Sequence, residues 1–159
     1  MGSGKTTIGN LLAEVLSIPF YDTDEEIEKH THRDIASIFS QSGEPHFRAL
    51  ERLTLEWLIS GNENAVIATG GGLPCDDETI SAMLNAGSVI YLDCDASTLF
   101  KRIAFYSNSR PLAPPSEEEL SLHLSSRLKY YLRAHLIIDG SNSIETILKQ
   151  ISNFINPIS

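Results

Sequence analysis

Gly2-Ser3-Gly4-Lys5-Thr6-Thr7 stands at the amino end of the chain, and Ile8, Leu11, Leu12, Val15 and Leu16 follow it at helical spacing. The string matches the second half of the phosphate-binding loop G-x-x-x-x-G-K-[ST]. Glycines let successive backbone N–H groups turn inward with no Cβ in the way, forming a nest for phosphate oxygens at a helix N-terminus. In such a loop Lys5 meets the β- and γ-phosphates of ATP and the Thr6 hydroxyl reaches Mg²⁺. Gly2, Ser3, Gly4 and Thr7 complete the ATP-binding segment. The first glycine of the motif would fall two residues before Met1, and no strand feeds the loop. The expectation is therefore a truncated or mis-started form of a longer protein, with the first strand missing.

Beyond the loop, strand-like and helical stretches alternate. Ile18-Pro19-Phe20-Tyr21 is a short apolar stretch that ends in Asp22-Thr23-Asp24, and Glu44 to Ser60 reads as a helix stopped by Gly61. On that helix Phe47, Leu50, Trp57 and Leu58 fall on or near one face, which places Trp57 in packing, with Phe39 beside it. Ala65 to Thr69 is a compact apolar run ended by Gly70-Gly71-Gly72, and its length and β-branched content predict a buried strand. Ser88 to Leu92 and His135 to Asp139 read the same way. Helices are predicted over Asp76 to Asn85, Ala96 to Phe105, Glu117 to Arg133 and Ile144 to Phe154. Ser107 to Ser116 carries Pro111, Pro114 and Pro115 and reads as a loop between two helices. Strands separated by helices of this length imply crossover connections, hence an α/β fold: a three-layer P-loop architecture with a parallel sheet and helices on both faces.

Length and composition narrow the functional classes. The 159 residues fit one domain over 1–159, and 42% hydrophobic with 21% charged residues is ordinary globular usage. No apolar run approaches the roughly 18 residues of a membrane span, and the N-terminus as given lacks a signal-peptide pattern. A net charge of −9 disfavours a nucleic-acid surface. Cys75 and Cys94 are too few for a metal cage and read as reduced thiols in or near the core. A cytoplasmic protein with no membrane or nucleic-acid partner is expected.

Among phosphate-loop proteins, no Asn-Lys-x-Asp string reads guanine, and the Ala65 to Thr69 strand runs into glycines rather than an acidic residue. The acidic pair lies at Asp22 and Asp24. On an extended segment, residues i and i+2 face the same side, so one carboxylate could hold the magnesium environment while the other orients or deprotonates a hydroxyl acceptor. The alternative is an acidic turn that caps the next helix. Arg48, Arg110 and Arg127 offer planar guanidinium groups of the kind that grip a carboxylate or neutralise a transferring phosphoryl group.

Taken in order, Gly-Ser-Gly-Lys-Thr-Thr, Phe20-Tyr21-Asp22-Thr23-Asp24, Gly43-Glu44 with Phe47-Arg48 and Glu51, Ala68-Thr69-Gly70-Gly71-Gly72, Arg110-Pro111-Leu112, and Arg127 with Tyr131 resemble the shikimate kinase family over nearly the whole chain. The resemblance implies a nucleoside-monophosphate-kinase-like fold with a five-stranded parallel sheet and a mobile lid at about 106–117. It implies transfer of the ATP γ-phosphate to the 3-hydroxyl of shikimate, in aromatic amino-acid biosynthesis, by a monomer. Asp24 would bind the shikimate hydroxyls and act as base, while Asp22 with Thr6 would serve Mg²⁺. Arg48 and Arg127 would grip the carboxylate, and Gly71 would meet the substrate through its backbone. Arg110 would reach ATP from the lid. The chain departs from the family where Lys129-Tyr130-Tyr131 replaces Pro-Leu-Tyr. Two other readings carry different outcomes: a kinase of the same fold acting on gluconate or a nucleoside monophosphate, or a nucleotide-binding module without catalysis.

Overall fold

The structure is a computed structural model that describes residues 2–61, 64–105 and 115–156. Its elements run α1 (Lys5–Leu16), β1 (Phe20–Asp22), α2 (Thr23–Thr31), α3 (Ile35–Gly61), β2 (Val66–Ala68), α4 (Asp77–Ala86), β3 (Ile90–Asp93), α5 (Ala96–Phe105), α6 (Glu117–Tyr131), β4 (Leu136–Asp139) and α7 (Ile144–Ile155). The described residues divide into two compact units, one within Gly9–Leu73 and one within Met1–Ile8 plus Pro74–Ser159.

In the Gly9–Leu73 unit, β1 and β2 pair in parallel with Phe20 opposite Val66, Tyr21 opposite Ile67 and Asp22 opposite Ala68. Two parallel strands need a crossover between them, and α2 and α3 supply it. Ile27 of α2 packs with Ile38 and Phe47 of α3, flanked by Ile35, Phe39 and Leu50. The Phe39 and Phe47 rings lie 4.6 Å apart, so Phe39 belongs to the packing as expected. Trp57 does not: it is 50% exposed, and its ring meets His30 edge-on at 4.9 Å. The helical phase explains the difference. Phe47, Glu51, Leu55 and Leu58 hold the buried stripe of α3, and Trp57 falls outside it.

The predicted helix from Glu44 is the second part of α3. Gly43, at φ 78° and ψ 168°, breaks the helix, and Pro45 stands in the first turn after the break, where a missing N–H costs little.

In the other unit, β3 and β4 pair in parallel, from Ile90 opposite Leu136 to Asp93 opposite Asp139. Cys94, Leu99, Ile103 and Leu120 form a core with Ala96, Phe100 and Leu124 against it. Cys94 is buried and Cys75 half-buried, and neither is in a disulfide. Helix starts are capped by short polar side chains: Asp76 accepts from Thr79 N, Ser116 from Glu119 N and Ser143 from Thr146 N. Helix α6 closes at Tyr131 rather than Arg133, because Arg133 N and Ala134 N bond three residues back and tighten the chain out of the helix. The resemblance implied five strands in one sheet; the described residues hold four strands, in two separate parallel pairs.

Candidate active site

The phosphate loop takes the form its glycines predict. Gly2 and Gly4 adopt φ +75° and +90°, a region that residues with a Cβ rarely occupy. At Gly4 the backbone alone demands glycine, since an added Cβ would meet nothing within 4 Å. At Gly2 space is also short: a Cβ would lie 3.2 Å from Ile103 Cγ1 and 3.3 Å from the Leu99 carbonyl oxygen. Helix α1 begins at Lys5, and Ile8 N bonds Gly4 O at 2.9 Å, so the electropositive end of the helix opens directly onto the loop. Thr6 and Thr7 are exposed, and the Lys5 ammonium donates to Ser3 Oγ at 3.4 Å.

Arg102 is a residue that sequence reasoning missed. Its guanidinium donates to Gly2 O at 3.5 Å and to Gly140 O at 3.2 Å, tying the loop to the end of β4. Only spacing within α5 could have hinted at it, since no motif contains it. Gly140 itself sits so close to Cys94 Sγ that a Cβ there would collide with the thiol.

The Asp22-Thr23-Asp24 segment differs from the extended arrangement expected. Asp22 ends β1 and caps α2, its Oδ1 accepting from Asp24 N at 3.0 Å, and Asp24 stands in the first helical turn. The capping alternative is the one the backbone adopts, because the first N–H groups of a helix need acceptors and Asp22 is placed to supply one. Between them, buried Thr23 accepts at Oγ1 from Gly70 N at 3.1 Å, which fastens α2 to the glycine run after β2.

That glycine run is crowded. A Cβ on Gly70 would strike Glu51 Oε1 and come within 3.2 Å of Asp24 Oδ1, itself a buried atom. A Cβ on Gly72 would strike the Arg48 guanidinium. Gly71, the residue singled out from sequence, lies half-buried in the turn between them, closed by Leu73 N bonding Gly70 O at 3.2 Å. The structure thus brings Asp24, Arg48, Glu51 and the glycines together.

Arg48 is held on two sides. Its Nη1 donates to Glu51 Oε2 at 2.5 Å, and its Nε and Nη2 donate to Glu44 Oε1 at 3.2 and 2.8 Å. Burial works against its charge, but the Glu51 and Glu44 carboxylates outweigh that and hold the Arg48 pKa above its usual value.

Arg127 belongs to the other unit. It is half-buried on α6, and the Tyr131 hydroxyl, one turn on, hydrogen-bonds to it and to Cys75. Burial, above all, raises the Tyr131 hydroxyl pKa. Tyr91 packs on the Tyr131 ring at 4.9 Å and donates to Asp93 Oδ1 at 2.9 Å. Arg110 and most of the expected lid lie outside the described residues. Beyond β4, Ser141 N donates to Asp139 Oδ1 and the Ser143 hydroxyl caps α7.

A glycine-turned loop opening onto a helix, in a chain of parallel strands joined by helices, defines a P-loop phosphotransferase of the α/β class. The family model for shikimate kinase matches residues 1–156. The chain belongs to the shikimate kinase family. A shikimate kinase from Persephonella marina is 41% identical over 138 residues, covering 87% of this chain and 83% of that protein. The crystal structure of shikimate kinase from Bacteroides thetaiotaomicron superposes with a TM-score of 0.88 at 32% identity, covering 98% of this chain and 93% of that one. Shikimate kinase from Acinetobacter baumannii in complex with shikimate gives 0.86 at 31% identity, covering 98% and 88%. The α/β P-loop kinase fold and the kinase class follow. The readings as a gluconate or nucleoside-monophosphate kinase, or as a module without catalysis, are not favoured.

Proposed function

We propose that this chain transfers the γ-phosphoryl group of ATP to the 3-hydroxyl of shikimate. The observation that carries the reading is the pairing of Arg48 with Glu51 against Gly72, which fixes a planar fork suited to a carboxylate. In the proposed reaction the 3-hydroxyl oxygen attacks the γ-phosphorus, the bond to the β-phosphate oxygen breaks, and ADP leaves. Asp24 binds the hydroxyls and takes the proton, and Gly71 meets the acceptor through its backbone. Arg48 and Arg127 hold the acceptor's carboxylate. Gly2, Ser3, Gly4, Lys5, Thr6 and Thr7 cradle the nucleotide phosphates, and Arg110 reaches ATP. Positioning and charge stabilisation supply most of the rate in such chemistry.

The donor chemistry fits Mg²⁺, a hard cation that takes one or two protein oxygens beside phosphate and water. The Thr6 hydroxyl is exposed at the helix start, and the Asp22 carboxylate stands at the end of β1. These two residues would hold the ion, which when bound would neutralise phosphate charge. We place the protein in the cytoplasm as a monomer. None of the helices among the described residues is long and apolar enough to cross a membrane.

A coupled ADP-release assay with Mg²⁺-ATP and a panel of shikimate, gluconate and CMP tests the reading. Turnover is expected with shikimate alone. Turnover with gluconate or CMP but not shikimate overturns it.

A further inference from the structure

Arg48 presents two edges. The inner one, Nη1, is taken by Glu51, whose side chain is 1% exposed. The outer one, Nε with Nη2, is taken by a single oxygen of Glu44, whose side chain is 62% exposed. A guanidinium grips a free carboxylate through two N–H groups on one edge. With Glu51 buried against Nη1, the two-donor edge whose present partner is exposed and exchangeable is the Nε–Nη2 edge that Glu44 covers. Gly72 lies against the guanidinium, and a Cβ there would collide with Nη1, Nη2 and the central carbon. The guanidinium is therefore seated on one side by backbone and on another by Glu51.

We propose that Glu44 is an internal competitor: its carboxylate occupies the edge of Arg48 that the acceptor's carboxylate must take, and substrate binding exchanges one for the other. This rests on the reading of Arg48 as the carboxylate clamp. The two carboxylates of the pair do different work. Glu51 is fixed and buried, so it orients the fork. Glu44 is exposed and joined to Arg48 at i, i+4 on a helix, an ion-pair class that contributes little and is readily given up. A neutral ligand has nothing with which to replace Glu44, whereas an acid does. Glu44 thereby acts as a specificity-determining residue that admits an anion and disfavours ligands without one.

Calorimetric titration of the full chain with shikimate tests the exchange. Glu44→Gln keeps the side chain's shape and removes its charge, so the dissociation constant is expected to fall roughly 2- to 5-fold, the range set by an exposed ion pair. Glu44→Ala should move the same way. A residue that merely supported Arg48 would give the opposite sign on removal. In an Arg48→Lys background the gain should vanish, since the competition acts through the fork. An unchanged or raised dissociation constant for Glu44→Gln, with Arg48→Lys still weakening binding, overturns the competitor while leaving the clamp intact. Unchanged shikimate binding by Arg48→Lys overturns the clamp and the competitor with it.

Discussion

Arg48 stands where a side chain on Gly72 would go, and this dictates what a single methyl group should do there. The guanidinium is the end of a long side chain, but its Nη1 is fixed by Glu51, so it cannot swing aside without breaking that pair. Gly72→Ala is expected to push Arg48 out of register and weaken shikimate binding by about 1.5–3 kcal/mol, the range for a hydrogen bond to a charged group. ATP binding should stay within about two-fold, a tenth or less of the change that 3 kcal/mol makes. Paired Michaelis constants for the two substrates check this; equal losses for both would mean a general folding defect. At this scale the sequence was legible where backbone chemistry alone decides, as at Gly4 with its φ of +90°. Arg48 was legible through its motif. Glu44 and Glu51 belong to the same motif, but that Glu51 orients and Glu44 covers the fork depends on distances between side chains, which spacing does not encode. Gly70 and Gly72 were overshadowed by Gly71 for the same reason: what each would collide with comes from α2 and α3.

Elements were more legible than contacts. The strands at Val66–Ala68 and Leu136–Asp139 fall within the predicted runs, and Ile90–Asp93 overlaps Ser88 to Leu92 and runs one residue past it, because a short β-branched run has few other stable states. At Asp22-Thr23-Asp24 the sequence admits both an extended pair and a helix cap, because strand end and cap share the same polar residues, and only the backbone direction separates them. Capping also gives these elements a pH dependence. Asp95 precedes α5, its Oδ1 accepting from Thr98 N and its Oδ2 from the Thr98 hydroxyl, both at 2.7 Å. These bonds favour the carboxylate and hold its pKa below the usual 3.8. Asp34 is lowered in the same way by Ser37. A carboxyl with a depressed folded-state pKa binds its proton more weakly folded than unfolded. Its stabilisation is therefore fully present above the ordinary value and fades as pH falls through the depressed one. Asp95→Ala should thus melt below the wild type at pH 7. The gap in melting temperature should close in acid below the ordinary carboxylate range. A gap that persists undiminished there would assign the stabilisation to something other than the charged cap.

For the whole molecule the question is whether the two compact units melt together. Helix α1 contributes residues to both, Lys5–Ile8 to one and Gly9–Leu16 to the other, so neither unit can lose its part without fraying a shared helix. A single cooperative transition is expected. The chain carries one tryptophan, Trp57, in the Gly9–Leu73 unit, while far-UV circular dichroism sees helices of both. Coincident melting by tryptophan fluorescence and circular dichroism is the test of two-state behaviour. A ligand that binds only the folded state raises its stability by RT ln(1 + [L]/Kd), about 2.7 kcal/mol at a hundred-fold excess over Kd. For a chain of this length each kcal/mol moves the midpoint by about 2–4 °C, so saturating shikimate should raise both curves together by about 5–10 °C. Were only the fluorescence curve to move, the Gly9–Leu73 unit would be binding the acceptor and unfolding on its own. Phosphoryl transfer would then depend on two parts whose stabilities are set separately.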